Sequence, residues 1–317
     1  MNARLVVIGL GRIGRLHAAH LAGRVPGAEL AGVVDSIDHV ARALGEQYGV
    51  PSSTSVEDVL PGADGVLIAA PTALHADLVE RAAAVGVHVY CEKPLGFELA
   101  AARRAVAAAH AAGVQLQVGF QRRFDPDWLE LAEALQAGEL GSLALFRCSH
   151  RNAREPEVSA PLGDLFVDVA IHDLDAVRWL GGEVAELHAW ERAGSACISV
   201  RFESGALGLI DVVRQAGYGF ECAAELVGSR ATARMSAPPR VALLREGRVS
   251  AAVAANHAER HDAAYVAELE HFGELVRGAA PRGADGADAV AALTLALLAR
   301  RSAATGGPVS AASAIAA

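Results

Sequence analysis

Through the first 118 residues, short apolar runs alternate with stretches of helical periodicity. Residues 4–8 form a β-branched run, 13–22 a helix, 30–34 a second apolar run and 37–48 another helix. Further strands are predicted over 66–70, 87–91 and 115–118, separated by helices over 73–85 and 98–112. The run 66–70 is continuously apolar, and the regular alternation of strands with helices predicts a parallel sheet covered on both faces.

The pattern changes after Gly119. A helix over 126–136, a strand over 143–149, a polar loop to 163 and a helix over 165–180 lead into a strand-rich region. There, residues 184–192, 195–202, 206–213, 220–227 and 232–235 read as successive antiparallel strands. Helices over 261–276 and 285–302 follow, with a Gly/Pro-rich stretch at 278–286 between them. The predicted fold class is α/β: an N-terminal Rossmann domain with a doubly wound parallel sheet, and a C-terminal α/β domain on an open, mostly antiparallel sheet. The expected boundary divides the chain into 1–119 and 120–317.

Composition narrows the function classes. With 52% hydrophobic and 21% charged residues, the 317-residue chain has enough apolar material for two cores. A formal charge of -9 argues against nucleic acid or anionic membranes as partners. Cys91, Cys148, Cys197 and Cys222 are widely spaced, which suggests neither a zinc knuckle nor a disulfide framework. The apolar run 290–299 is too short to span a bilayer, and the first strand begins at Arg4 without a cleavable leader before it, so a cytoplasmic protein is expected.

The candidate chemistry begins at Gly9-Leu-Gly11-Arg-Ile-Gly14, between a strand and a helix. Gly9 permits the tight turn, Gly11 lets backbone approach a pyrophosphate, and Gly14 lets helix pack close to strand, while free amides at the helix start meet the phosphates. Asp35 ends the second strand about 20 residues on, where its carboxylate accepts from ribose hydroxyls and repels a 2′-phosphate, favouring NAD over NADP. The same residue also suits a helix cap. Cys91-Glu92-Lys93-Pro94 falls at the carboxyl end of a predicted parallel strand, the edge of such a sheet where ligands bind. Lys93 there is either a group that bonds a substrate oxygen or a solvated side chain. Pro71, Thr72 and His75 are placed to line a nicotinamide ribose, with a packed surface histidine as the alternative for His75.

On the helix predicted over 165–180, Asp168 and His172 stand four apart and Asp175 lies nearly a turn further, so they share a face. That arrangement suits a histidine that takes a hydroxyl proton while a carboxylate orients it. An ordinary ion pair and a metal site built on His172, Asp173 and Asp175 are the competing readings, and no further metal ligands occur at recognisable spacing.

Together, Gly9 to Gly14, Glu92-Lys93-Pro94, Gly119-Phe-Gln-Arg-Arg-Phe-Asp125 and Asp168-Val-Ala-Ile-His172-Asp-Leu-Asp175 resemble the glucose-fructose oxidoreductase / inositol dehydrogenase / rhizopine catabolism family over nearly the whole chain. Ser149-His150-Arg151-Asn152 and the Arg-Arg-Phe-Asp run are most similar to its inositol dehydrogenase branch. The resemblance implies an NAD-dependent oxidation of a secondary alcohol on a cyclic polyol or sugar. Lys93, Asp168 and His172 would form the catalytic trio, with His172 as base and Lys93 stabilising the developing alkoxide. Gly9, Gly11, Arg12, Ile13, Gly14, Asp35, Pro71, Thr72, His75, Glu92 and Lys93 would bind the cofactor. Arg123, His150, Asn152, Asp175, Tyr218 and Tyr265 would contact a small polyhydroxylated substrate beside Asp168 and His172. No metal is implied, and a homotetramer or homodimer is. A biosynthetic ketone reductase, an NAD-dependent glycoside hydrolase and a non-catalytic NAD(H)-sensing protein remain alternatives.

Overall fold

The computed structural model describes residues 2–153, 163–235, 242–245 and 248–314. Two compact units emerge: Met1–Phe124 with Ala263–Ala291, and Asp125–Asp262 with Ala292–Ala317. The expected division placed everything after 119 together; instead the chain returns to the first unit for one late segment. The physical reason is apolar: Leu269, Phe272 and Leu275 on that segment bury themselves in the same core as Leu5, Val7, Val33 and Leu67.

In chain order the first unit contains β1 (Ala3–Ile8), α1 (Arg12–Leu21), β2 (Ala28–Val34), α2 (Asp38–Tyr48), β3 (Ser52–Ser53), β4 (Gly65–Ile68), α3 (His75–Ala84), β5 (His88–Glu92), α4 (Leu99–Ala111) and β6 (Leu116–Gly119). Strands β1 to β6 are parallel, in the order β6-β5-β4-β1-β2-β3. Val66, Leu67, Ile68 and Val89 are fully buried, the continuous apolar character that a sheet covered on both faces requires. Helix α2 stops at Gly49, whose φ of +66° supplies the left-handed residue that ends many helices.

The second unit begins with α5 (Pro126–Gln136), started by proline at its first position and by Asp125, whose side chain accepts from the Asp127 amide. Then come β7 (Leu143–Ala153), α6 (Ile171–Gly181), β8 (Val184–Arg192), β9 (Ser195–Phe202), β10 (Leu207–Ala216), β11 (Glu221–Gly228), β12 (Thr232–Met235), β13 (Ala242–Arg245), β14 (Arg248–Ala251) and α7 (His257–Arg260). The chain continues through α8 (Asp262–Val276), β15 (Ala284–Asp285), α9 (Gly286–Thr305) and β16 (Val309–Ser310). β15 adds an antiparallel edge to the first sheet at β6.

The second sheet runs β12-β11-β7-β10-β9-β8-β16 and is mostly antiparallel, as its alternating pattern predicts. One pair departs from the expectation of successive antiparallel strands: β10 lies parallel to β7. The chain leaves β7 through α6 and two further strands, a connection long enough to bring it back in the same direction. The hairpin β13-β14 has no counterpart in the sequence reading. Among the described residues no helix is long and apolar enough to cross a membrane.

Candidate active site

At the end of β1, Gly9 adopts φ +89°, and a side chain there would collide with the backbone of Ala69 and Ala70. A side chain on Gly14 would strike the Gly9 carbonyl, so the first turn of α1 lies directly on the glycine turn. Gly11 differs, because a Cβ there would meet no protein atom. Only the open side of the turn is kept clear by that glycine, which fits a bound pyrophosphate rather than internal packing. Helix α1 has no side-chain cap and no acidic residue in its first turn, so the positive end of its dipole, where Arg12 and Ile13 begin the helix, suits an anion.

Asp35 is half-buried just past β2. Its Oδ2 accepts from the Leu10 amide at 2.7 Å and its Oδ1 from the Ile37 amide at 2.9 Å. The carboxylate thus fixes the glycine turn itself, while each oxygen retains a second lone pair for a hydroxyl. It does not cap α2, whose N-cap is Ile37.

Pro71 is exposed and Thr72 opens a short 3-10 turn after β4. His75, at the start of α3, is only 2% exposed. Its Nδ1 lies 2.8 Å from the Pro94 carbonyl and its Nε2 2.7 Å from the Ala70 carbonyl. Both ring nitrogens of His75 thus meet backbone, so any contact with a ribose falls to the ring and not to its nitrogens. Carbonyls only accept, so the ring bonds both only with a proton on each nitrogen. Burial opposes the second proton and sets His75 below its ordinary value, against the pull of the two carbonyls and of Glu92.

Half-buried Lys93 follows β5 and joins Pro94 through a cis peptide. Glu92, beside it, accepts from His17 Nε2 of α1 at 2.7 Å. The fully buried Tyr90 hydroxyl bridges Glu268 Oε1 on α8 and, at 3.4 Å, Glu92 Oε1. A tyrosine has one proton to give, so a protonated Glu268 is what completes this chain. Burial, then the neighbouring Glu92 charge, push the Glu268 carboxyl well above its ordinary value, against the Tyr90 bond. Burial also works to raise Glu92, but the His17 bond and charge, with Lys93 and His75, hold it below the usual range. Tyr265 is buried in the same cluster, edge-on to His17 with ring centroids 5.8 Å apart. Arg123 is ion-paired to Asp288 at 2.9 Å.

In the second unit the helix expected over 165–180 is not regular. A π turn spans Phe166–Ala170 before α6 begins, so Asp168 and His172 are separated by a wider turn than the i,i+4 spacing assumed. Asp168 is half exposed and accepts from Arg214 Nη1 of β10 at 2.6 Å, while Arg214 Nη2 donates to the Gly163 carbonyl. His172 is half-buried on α6, and Asp175 is buried. His150 Nδ1 meets Asp173 Oδ2 at 2.9 Å and its Nε2 meets Asn152 Oδ1 at 3.0 Å. The Cys148 thiol donates to the other Asp173 oxygen at 3.1 Å. Asp173, considered above only as a metal ligand, thus serves to orient His150; among the described residues no His/Cys/Asp/Glu group is arranged to hold a metal. Arg151 pairs with Asp211. Tyr218 is exposed and donates to Glu221; partial burial and that bond push its pKa up to about 12.

Sequence reasoning missed Arg214, His17, Tyr90 and Glu268, and offered Asp173 only as a metal ligand. The only local signal for Glu268 was a carboxylate on the apolar stretch of α8. Arg214 carried none, since its partner lies 46 residues away.

A family model described as an oxidoreductase family with an NAD-binding Rossmann fold matches residues 3–120, and a GFO/IDH/MocA C-terminal domain matches residues 128–234. The chain belongs to this oxidoreductase family. Its glycine turn, with the clear approach at Gly11 and uncapped α1, fits NAD, the cofactor for which the family's first domain is named. Within the family, the chain is 33% identical to scyllo-inositol 2-dehydrogenase (NAD(+)) of Bacillus subtilis, over 87% of this chain and 86% of that one. It is 34% identical to myo-inositol 2-dehydrogenase of Thermotoga maritima, over 94% and 96%. A myo-inositol dehydrogenase structure from Corynebacterium glutamicum matches with a TM-score of 0.89 at 29% identity, covering 98% of this chain and 99% of that one. A Lactobacillus casei myo-inositol dehydrogenase in complex with NAD(H) and myo-inositol matches with a TM-score of 0.90 at 25% identity, covering 98% and 97%.

Proposed function

We propose that this member of the family is an NAD-dependent dehydrogenase that oxidises a secondary alcohol of an inositol-type cyclic polyol to the ketone. The observation that carries the substrate class is the similarity, over nearly the full length of both chains, to dehydrogenases named for inositol. When bound, the nicotinamide supplies the hydride acceptor.

This chain's residues supply the rest. His172 takes the hydroxyl proton, and Lys93 stabilises the negative charge developing on the same oxygen. Asp168, held by Arg214, orients the reacting groups and bonds a neighbouring hydroxyl. His150, fixed by Asp173, together with Asn152, Asp175, Arg123, Tyr218 and Tyr265, offers further donors and acceptors to a ring of hydroxyls. Residence in the cytoplasm and self-association as a dimer or tetramer belong to the same proposal.

The test is a screen of the purified protein with NAD or NADP against inositols, aldoses and aminocyclitols, followed by nicotinamide absorbance. NADH formation with an inositol is expected. Turnover confined to aldoses, or cofactor reduction absent with every free polyol, would overturn the substrate assignment.

A further inference from the structure

Three features of the first unit converge on His75. The Gly9 backbone lies so close to Ala69 and Ala70 that no side chain fits between them. His75 reaches back to the Ala70 carbonyl at 2.7 Å. Its other nitrogen reaches the Pro94 carbonyl at 2.8 Å, one residue beyond Lys93. A continuous path of close contacts therefore runs from the nucleotide turn through Ala70 and His75 to the corner that carries Lys93.

We propose that His75 is a positioning residue for Lys93: its ring, wedged between the Ala70 and Pro94 carbonyls and donating to one of them when neutral, registers the Lys93-Pro94 corner against the strand end on which the nucleotide turn is packed. The reason for such a device is geometric. β4 and β5 are hydrogen-bonded only as far as Ile68 and Cys91. Beyond those residues the ladder between the two strands ends, and the sheet no longer sets their spacing. His75 is the side chain that spans them, and its rigid ring transmits a displacement at one end to the other. An amine displaced by about 1 Å from its productive place loses about 100-fold in rate. The imidazole acts through Lys93. Its neighbours in charge are Glu92 and Lys93 themselves.

The inference rests on the role proposed for Lys93, and the experiment separates the two. Amide hydrogen exchange in the cofactor-free protein reads the clamp directly. His75→Ala is expected to accelerate exchange over residues 69–74 and 91–96 together, whereas Lys93→Ala leaves 69–74 unchanged. In turnover, His75→Ala should lower kcat about 100-fold while NAD affinity stays within about threefold. In a Lys93→Ala background the same change should cost nothing further, because the group it positions is gone. His75→Gln keeps one donor and should recover part of kcat; it also serves should the alanine variant fail to fold. Unchanged exchange over 91–96, or a full additive loss in the double variant, would overturn the clamp. If Lys93→Ala leaves turnover intact, the proposed role of Lys93 falls, and the exchange result still decides whether His75 holds the corner.

Discussion

The two units fix their functional groups by different means. In the first, backbone conformation sets the site: Gly9 at φ +89°, amides of Leu10 and Ile37 on Asp35, and carbonyls of Ala70 and Pro94 on His75. In the second, side chains from separate strands and helices hold one another: Asp168 by Arg214, His150 by Asp173, and Arg151 by Asp211. A backbone-built site tolerates little change in residue type, because the main-chain conformation itself makes the contacts. A pair-built site tolerates reshaping but fails when either partner is removed, because the survivor is left with an unmatched charge.

The largest expected effect tests whether both units contribute chemistry at all. Lys93→Ala and His172→Ala should each lower turnover by about 1000-fold or more, while NAD binding, followed by fluorescence titration, is retained. If either variant turns over at the native rate, that residue leaves the mechanism and the chemistry belongs to one unit. Next comes the pair-built site. Arg214→Ala releases Asp168 and should reduce kcat about 10- to 100-fold, with little change in the thermal midpoint, since Asp168 is half exposed and the pair adds little stability.

A smaller effect probes the backbone-built site. Asp35→Ser should narrow the preference for NAD over NADP about 10-fold, measured as the ratio of kcat/KM values. A native enzyme that already prefers NADP would refute the role given to that carboxylate.

The smallest expected effect concerns Glu268. Its carboxyl is raised in the folded state, so above its ordinary value the unfolded chain releases a proton that the folded chain keeps. Stability from this group is full at acid pH and declines as pH rises towards the folded-state value. Glu268→Gln removes the dependence without changing the shape. The variant should therefore gain about 2–4 °C in thermal midpoint relative to the native protein on moving from about pH 5 to about pH 8. An unchanged difference between the two proteins would show that Glu268 ionises normally.

The same contrast explains what was legible in the sequence. Gly9, Gly11, Gly14 and Asp35 act through local backbone geometry, and a strand-turn-helix pattern reveals such geometry directly. Most helices and strands were readable for a similar reason, since burial imposes a period on each segment. His75 was visible as a residue but not as a clamp: its partners, Ala70 and Pro94, contribute carbonyl groups that every residue possesses. Arg214 and the role of Asp173 were hidden because each pairs a strand with the helical segment packed on it, Arg214 of β10 with Asp168 and His150 of β7 with Asp173, and which strand lies under a helix cannot be read from either segment alone. The π turn at Phe166–Ala170 escaped because a short helical apolar pattern does not distinguish about 3.6 residues per turn from slightly more.

The late return of Ala263–Ala291 to the first unit has a consequence for how this protein is made. During synthesis, Tyr90 and the sheet around it emerge long before Leu269, Phe272 and Glu268, the residues that close over them. The nucleotide-binding unit cannot complete its core until the intervening segment Asp125–Asp262 has left the ribosome. Nor does any single cut in the gene release either unit intact: a fragment ending at Phe124 would expose the apolar surface that α8 covers. Supplying Ala263–Ala291 as a separate peptide is expected to cover that surface, since this segment carries the residues that complete the core.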